Sequence, residues 1–216
     1  MKCPRCVQSI HRGAMSCPHC GFAVEDADRM FGAGEVAIDC LEDTAGLLRR
    51  SERDRVACII EEFREVFPQL FFAVYTGSFR ELTSLRQFGF WLLNRAAFRD
   101  VPIDRPNEAG LLLVIDPESK AASLTFGYLL DPFLDGNDTF RCLSKAHPYL
   151  LGGDYCRGIE VVAGVLSKLL RKRSRQARRD PERFERRCAP PPPVGDLARR
   201  IRDGHRVRGT GEEVRA

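Results

Sequence analysis

Two pairs of cysteines near the N-terminus constrain the fold of this chain more than any other feature. Cys3 and Cys6 form the first pair, and Cys17 and Cys20 form the second. Two residues lie within each pair, and ten residues lie between the pairs. A C-x2-C turn points two thiolates at one ion, and two such turns complete a tetrahedral shell of four sulfurs. A module of about 20 residues cannot bury a useful core, so the metal must supply most of its folding free energy, on the order of 10 kcal/mol. The spacing therefore predicts a zinc ribbon over residues 1–22.

Other interpretations of the cysteine pairs are weaker. A redox C-x-x-C motif would follow a strand in a βαβ unit, and the sequence shows no such unit here. Iron fits the same four-sulfur cage, although zinc is the commoner occupant of a ribbon this short. Four well-spaced cysteines leave no vacancy for His11 and His19, and we expect both at the surface. Gly21 follows the second pair, where a positive φ is favourable, whereas Val7 stands at the matching position of the first pair.

The compartment can be predicted from what the sequence lacks. Met1-Lys2 leads straight into the cysteine motif without the apolar segment of a signal peptide, and no run of about 18 apolar residues occurs. We therefore expect a cytoplasmic protein without a transmembrane segment. Thiols stay reduced there, which favours metal binding over disulfides.

Charge is distributed unevenly along the chain. Residues 171–216 carry 15 Lys and Arg against 7 Asp and Glu, and the rest carries 19 against 23, within a net charge of +4. A basic tail thus follows a mildly acidic body. Charges of mixed sign after Arg171 recur at three- and four-residue spacing, which predicts an exposed helical extension that ends at Pro190–Pro193. The tail is either solvated and partly disordered, or it binds nucleic acid or another anionic surface, since arginine suits phosphate.

Hydrophobic periodicity predicts a small mixed-sheet α/β domain over residues 39–170, with helices packed on the sheet and the zinc ribbon before it. Residues 23–38 contain Gly, Ala, Asp and Glu without periodicity, which favours a linker. Asp138 is the expected cap of a short helix that ends near Pro148. The predicted elements, in the order α-β-α-β-β-α-α, are helix 54–67, strand 70–75, helix 83–98, an antiparallel hairpin of strands 109–115 and 121–126, the helix from 138, and a last helix from 154.

A set of motifs in this region resembles TPM domains in order and spacing. The motifs are Asp43-Thr44-Ala45-Gly46-Leu47-Leu48, Asn94-Arg95, Gly110-Leu111-Leu112-Leu113-Val114, Gly127-Tyr128-Leu129-Leu130-Asp131 and, after Pro148, Gly153-Asp154-Tyr155-Cys156-Arg157-Gly158. The resemblance spans about residues 40–170 and implies a small α/β fold. Many TPM proteins also carry a signal peptide and a membrane anchor. Neither is evident here, which favours a cytoplasmic variant that works through partners.

The same resemblance implies a cation site. Some TPM domains bind Ca²⁺, and acid phosphatase activity has been ascribed to plastid members. The acidic positions of the family correspond to Asp43 and Asp131, and Glu108 lies near a third position, where this chain is one residue longer. Three oxygen ligands from separate loops could hold Ca²⁺ or another divalent cation. In the alternative interpretation, Asp43 caps a helix and Asp131 shapes a turn.

Compact catalytic motifs are missing from the sequence, which contains no G-x4-G-K-[ST] loop and no G-x-S-x-G elbow. A C-x5-R spacing occurs at Cys6 and Arg12, but Cys6 is already a predicted metal ligand. Cys142 and His147 lie five residues apart across a predicted helix end, which makes a catalytic dyad a poor interpretation.

Two function hypotheses remain. The preferred one is a non-enzymatic interaction module, in which the zinc ribbon and the TPM-like domain dock a protein partner, or nucleic acid through the tail. The alternative is a metal-dependent phosphoesterase that uses Asp43, Glu108 and Asp131. Geometry separates the two, because only the second requires these carboxylates to converge in one cleft.

Overall fold

The chain folds into both helices and strands, as the hydrophobic pattern predicts. The computed structural model describes residues 2–10, 14–79, 84–182 and 184. The α-helices are α1 (Val24–Phe31), α2 (Arg50–Val66), α3 (Leu85–Arg95), α4 (Gly136–Leu151) and α5 (Tyr155–Arg179). The strands are β1 (Val36–Ile38), β2 (Leu41–Asp43), β3 (Phe71–Thr76), β4 (Ala96–Phe98), β5 (Gly110–Asp116) and β6 (Ala121–Phe126). Single 3-10 turns at Asn107–Ala109 and Tyr128–Leu130 flank the β5–β6 hairpin.

In the part of the chain that the structure describes, four strands form a mixed sheet in the order β2-β3-β5-β6. β2, β3 and β5 are parallel, and β6 pairs antiparallel with β5, which confirms the predicted hairpin. Every residue of β5 is buried, as expected for a parallel strand covered on both faces. The predicted mixed α/β architecture is therefore confirmed.

Helices cover both faces of this sheet. Side chains two residues apart share a face of a strand and neighbours do not, so Phe72 and Tyr75 of β3 point to opposite sides. Phe72 packs on Phe63 of α2, with ring centroids 5.7 Å apart, and Tyr75 packs on Phe88 of α3 at 5.2 Å. α5 then packs on α2 and α4, with Leu166 fully buried.

The segment 23–38, for which the sequence predicts a linker, contains α1 and β1 instead. α1 is short, but it packs on α3 through Phe31, whose ring centroid lies 5.6 Å from those of both Phe88 and Trp91. The Trp91 indole N–H also donates to the Gly32 carbonyl oxygen at 2.8 Å. β1 pairs in parallel with β4, so this segment is held by tertiary contacts that its composition does not reveal.

The boundaries of two helices also differ from the prediction. Asp135, not Asp138, caps α4, since its carboxylate accepts the amide N–H groups of Asn137 and Asp138 at 2.8 and 3.0 Å. α4 continues through Pro148, which lacks only the N–H donor, and the Pro148 carbonyl still accepts from Gly152 at 3.1 Å. α3 ends at Arg95, and β4 follows directly.

No described helix combines the length and apolarity needed to cross a membrane. The basic extension predicted after Arg171 continues α5 to Arg179. The predicted break at Pro190–Pro193 lies outside the described residues.

Candidate metal centre

The structure brings the four predicted ligand cysteines together. Cys3 Sγ lies 3.7 Å from Cys20 Sγ, and Cys6 Sγ lies 3.6 Å from Cys17 Sγ. All four sulfurs lie within 4.8 Å of one another. Four thiolates around a central ion at about 2.3 Å would be separated by roughly 3.8 Å along the edges of the tetrahedron. The cluster therefore has the dimensions of a four-sulfur metal site and could hold one ion.

The two cysteine pairs belong to hairpins that repeat with a spacing of 14 residues. The Cys3 amide donates to the Gln8 carbonyl and the Cys17 amide donates to the Phe22 carbonyl, both at 2.8 Å. Isolated antiparallel bridges join positions 2 and 9 in the first hairpin and positions 16 and 23 in the second. The sequence carries this repeat in matching runs beginning Cys-Pro-x-Cys, which the spacing argument alone overlooked.

The residue after each pair has the same unusual backbone. φ is +72° at Gly21 and +64° at Val7. Glycine adopts this left-handed region freely, whereas a β-branched side chain is strained there. The two hairpins therefore make the same turn, which is strained at Val7 and unstrained at Gly21.

Backbone N–H groups point at the sulfurs. Burial raises the pKa of the Cys3 thiol to about 12, against the opposing effect of hydrogen bonds from the Cys6 and Arg5 amides. Burial also opposes ionisation of Cys17, but hydrogen bonds from the His19 and Cys20 amides and from the Cys6 and Cys3 thiols lower its pKa to about 6. These donors would stabilise thiolates around an ion, since a coordinating thiol is deprotonated outright.

The His19 imidazole does not compete for the site. His19 lies between the second pair of cysteines with an exposed side chain, as predicted. His11 lies outside the described residues.

The segment that carries the cysteine cluster packs directly against the α/β domain. Phe22, which follows the second hairpin turn, is 4% exposed, and its ring packs on Phe90 of α3 with centroids 5.9 Å apart. Lys2 lies against the first turn of α4, where a Cβ added to Gly136 would meet Lys2 Nζ at 2.8 Å. The ribbon and the domain therefore share a packed boundary.

Asp43 organises a loop at the carboxyl edge of the parallel strands. Its carboxylate accepts the Leu47 and Leu48 amides, each at 3.0 Å, and the Thr76 hydroxyl at 2.5 Å. Burial opposes ionisation, but these three donors hold the pKa of Asp43 below its usual value. Since α2 begins only at Arg50, Asp43 fixes the loop before the helix and does not cap it.

Glu108 and Asp131 lie at the other edge of the sheet. Both are close to the Tyr128 phenol, whose pKa is raised by burial and by the charges of Asp131 and Glu108. Asp43 is level with Ile115, because Asp43 aligns with Thr76 and Thr76 aligns with Ile115.

Glu108 precedes Gly110 at the start of β5, so the length of this strand separates it from the level of Asp43, roughly 16 Å at about 3.3 Å per residue. The predicted cation site of Asp43, Glu108 and Asp131 is therefore not formed. Within the described residues, the four cysteines are the group of three or more potential ligands that meets the distances for a metal ion.

The Cys142 and His147 pair does not form a dyad either. Cys142 is fully buried on α4, and burial raises the pKa of its thiol to about 12. His147 is exposed on the same helix, and a five-residue spacing places the two side chains on different faces. The geometry excludes proton transfer between them.

Comparisons with known proteins identify no family for this chain. No known protein family matches the sequence, and no curated protein matches it. The chain is similar to the solution NMR structure of the N-terminal domain of the cg2496 protein from Corynebacterium glutamicum, at a TM-score of 0.48 and 14% identity over 60% of this chain and 78% of that one. It is also similar to the N-terminal domain of a protein from P. gingivalis, at a TM-score of 0.47 and 20% identity over 69% of this chain and 91% of that one. The TPM resemblance stays a prediction.

Proposed function

We propose that this chain is a non-enzymatic interaction module in which the four cysteines hold one structural Zn²⁺ beside a TPM-like α/β domain. The observation that carries the proposal is the pair of Sγ–Sγ distances of 3.6 and 3.7 Å, which match a tetrahedral zinc–thiolate shell. The proposal assigns the protein to a reducing compartment, the cytoplasm, where thiols stay available to metal.

Zinc suits the chemistry of this donor set. Four soft thiolates in a tetrahedral arrangement select Zn²⁺ or iron. Zinc, unlike iron, does not change its oxidation state in such a site. The metal would be held by both hairpins at once, since each close Sγ pair joins one cysteine from each hairpin. Its removal would therefore separate the hairpins from each other.

A structural role follows from the closed shell. Catalytic zinc keeps a coordination position for water or substrate, whereas four protein thiolates leave none. The carboxylates of the alternative hypothesis lie at opposite edges of the sheet, so nothing in their geometry favours a phosphoesterase.

The partner in this proposal is a protein that docks on the hairpin tips. Arg5 and His19 occupy equivalent positions of the two tips and are both exposed. Met15, at the start of the second hairpin, is 91% exposed. These side chains are free to contact a partner, while Cys3 and Cys17 behind them are buried.

Elemental analysis of the purified full chain tests the metal assignment. We expect one zinc per chain in the wild type, and loss of that zinc in Cys17→Ser. Cys58→Ser is the matched control, because Cys58 is exposed on α2 and removes a thiol outside the cluster. Iron in the wild type, a metal-free folded ribbon, or zinc retained by Cys17→Ser would each overturn the assignment.

A phosphatase assay tests the non-enzymatic part. We expect no hydrolysis of p-nitrophenyl phosphate above background, with or without divalent cations. Hydrolysis by the wild type that Asp43→Asn abolishes would contradict the proposal and restore the enzyme hypothesis.

A further inference from the structure

The C-terminal half of α5 carries a continuous basic face. At 100° per residue, its six cations fall within an arc of about 120° and along about 17 Å of helix axis. All six side chains are exposed. They are Lys168, Arg171, Lys172, Arg175, Arg178 and Arg179, and we call them the α5 stripe.

The α5 stripe differs from other cations of the same helix by having no carboxylate partner among the described residues. Arg157 pairs with Glu160, whose other oxygen binds Arg55 at 2.9 Å. Arg173, on another face, reaches Asp138 of α4 at 3.3 Å. Ion pairs thus neutralise Arg157 and Arg173, whereas no carboxylate of the described residues pairs with the stripe.

The opposite face of α5 is already occupied. Ile159, Leu166 and Leu170 are buried against the domain, and Arg173 fastens the same stretch to α4. An amphipathic helix that inserts into a membrane needs a free apolar face beside its cations. α5 has no free apolar face, because that face packs on the domain. Its exposed cations therefore favour a polar, anionic partner.

We infer that the α5 stripe binds the sugar-phosphate backbone of duplex nucleic acid. A duplex carries one negative charge per about 1.7 Å of axis, so about ten phosphate charges accompany the length of the stripe. Four of the six cations are arginines, whose planar guanidinium binds phosphate oxygens in pairs. The binding is independent of base sequence, because phosphate contacts carry no sequence information. This inference is independent of the metal assignment.

The test measures binding of the full chain to a labelled mixed-sequence duplex of about 20 base pairs by fluorescence anisotropy, at several salt concentrations. In the stripe variant, Arg171, Arg175 and Arg178 are each replaced by Gln. The control variant removes the same total charge from a different surface. It replaces three exposed arginines near the start of α2 by Gln: Arg49, Arg50 and Arg53. A second stripe variant replaces the same three arginines by Lys and preserves the charge.

We expect the slope of log K against log salt to become shallower by about 2.7 in the Gln stripe variant, since each phosphate contact contributes about 0.9. The α2 control and the Lys variant should keep the wild-type slope. Equal loss in the stripe and control variants would assign binding to net charge alone and overturn the inference. So would an unchanged slope in the stripe variant, no binding by the wild type, or binding to phosphatidylserine vesicles without binding to the duplex. Circular dichroism of each variant separates loss of binding from loss of fold.

Discussion

Arg95 of α3 donates from both Nε and Nη2 to the two carboxylate oxygens of Asp28 of α1. The Asp28 side chain is only 10% exposed. The hydrogen bonds from Arg95, although opposed by burial, hold the pKa of Asp28 below its usual value. α1, which follows the ribbon, is therefore fixed to the domain by a bidentate ion pair as well as by aromatic packing.

This ion pair makes part of the folding stability depend on pH. A carboxyl group whose pKa is lower in the folded than in the unfolded state stabilises the fold above its unfolded pKa of about 3.9, and that stabilisation is lost as the pH falls through the folded pKa. We expect Asp28→Asn to lower Tm at neutral pH, with a difference from wild type that shrinks in acid. Asp39→Asn is the control, since Asp39 forms a similar pair with Arg99 at 2.9 Å but at the surface. Equal Tm losses for both variants would contradict the prediction.

The strained turn at Val7 predicts reciprocal effects at the two hairpins. Val7→Gly removes a left-handed conformation that disfavours valine by roughly 1–2 kcal/mol, so it should tighten metal binding by about tenfold. Gly21→Val introduces the same strain and should weaken binding by a similar factor. Competition with a zinc chelator measures both. Weaker binding in Val7→Gly would show that the valine side chain makes a favourable contact that outweighs its strain.

Gly127 is required by a close backbone approach. A Cβ at this position would lie 2.2 Å from the Glu108 carbonyl oxygen, whereas a Cβ at Gly164 of α5 would meet nothing within 4 Å. We expect Gly127→Ala to reduce the free energy of unfolding by about 2–3 kcal/mol. Gly164→Ala should instead raise it by roughly 0.5–1 kcal/mol, because alanine loses less conformational freedom in a helix. Urea denaturation distinguishes the two, and a neutral Gly127→Ala would refute the steric argument.

Asp43 should matter for stability and not for cation binding. Asp43→Ala leaves two amides and one hydroxyl without their acceptor, at a cost of about 2 kcal/mol. The loss should be the same with and without added Ca²⁺, because Glu108 and Asp131 lie at the other edge of the sheet. Denaturant curves at both conditions provide the measurement, with Glu108→Gln as the control. Stabilisation of the wild type by Ca²⁺ that disappears in Asp43→Ala would contradict this prediction.

Thiol reactivity should follow metal occupancy. In the zinc-loaded chain, exposed Cys58 should react rapidly with an aromatic disulfide reagent, whereas buried Cys40 and Cys142 should be protected, since burial raises the pKa of both thiols. Removal of zinc with a chelator should release four further reactive thiols. Cys58→Ser should reduce the amplitude of the rapid phase by one thiol and keep the chelator-dependent phase. Release of all four ribbon thiols without chelator would contradict metal protection.

The parts of the structure that the sequence predicts are those specified by local spacing. The metal cluster needs four cysteines at fixed intervals, and α2 needs apolar residues such as Val56, Ile60 and Phe63 on one helical face. Both signals lie within a short stretch of chain. The β5–β6 hairpin likewise follows from two apolar runs joined by a four-residue turn.

The parts that were predicted wrongly depend on contacts distant in sequence. α1 has one fully buried residue, Ala27, and is held through Phe31 and Asp28 by residues of α3 about 60 positions away. The separation of Asp43 from Glu108 is a consequence of strand direction: one residue ends a strand and the other precedes a parallel strand. A list of motifs in sequence order contains no information about which edge of the sheet each one reaches.

Trp91, the only tryptophan of the chain, is buried between Phe31 and Phe88 and donates its indole N–H to the residue after α1. Its emission spectrum therefore depends on whether the segment that continues from the ribbon stays docked. Undocking would expose the indole to water and shift its fluorescence to longer wavelength. The chain thus contains a built-in optical reporter of the ribbon–domain boundary, readable without any label.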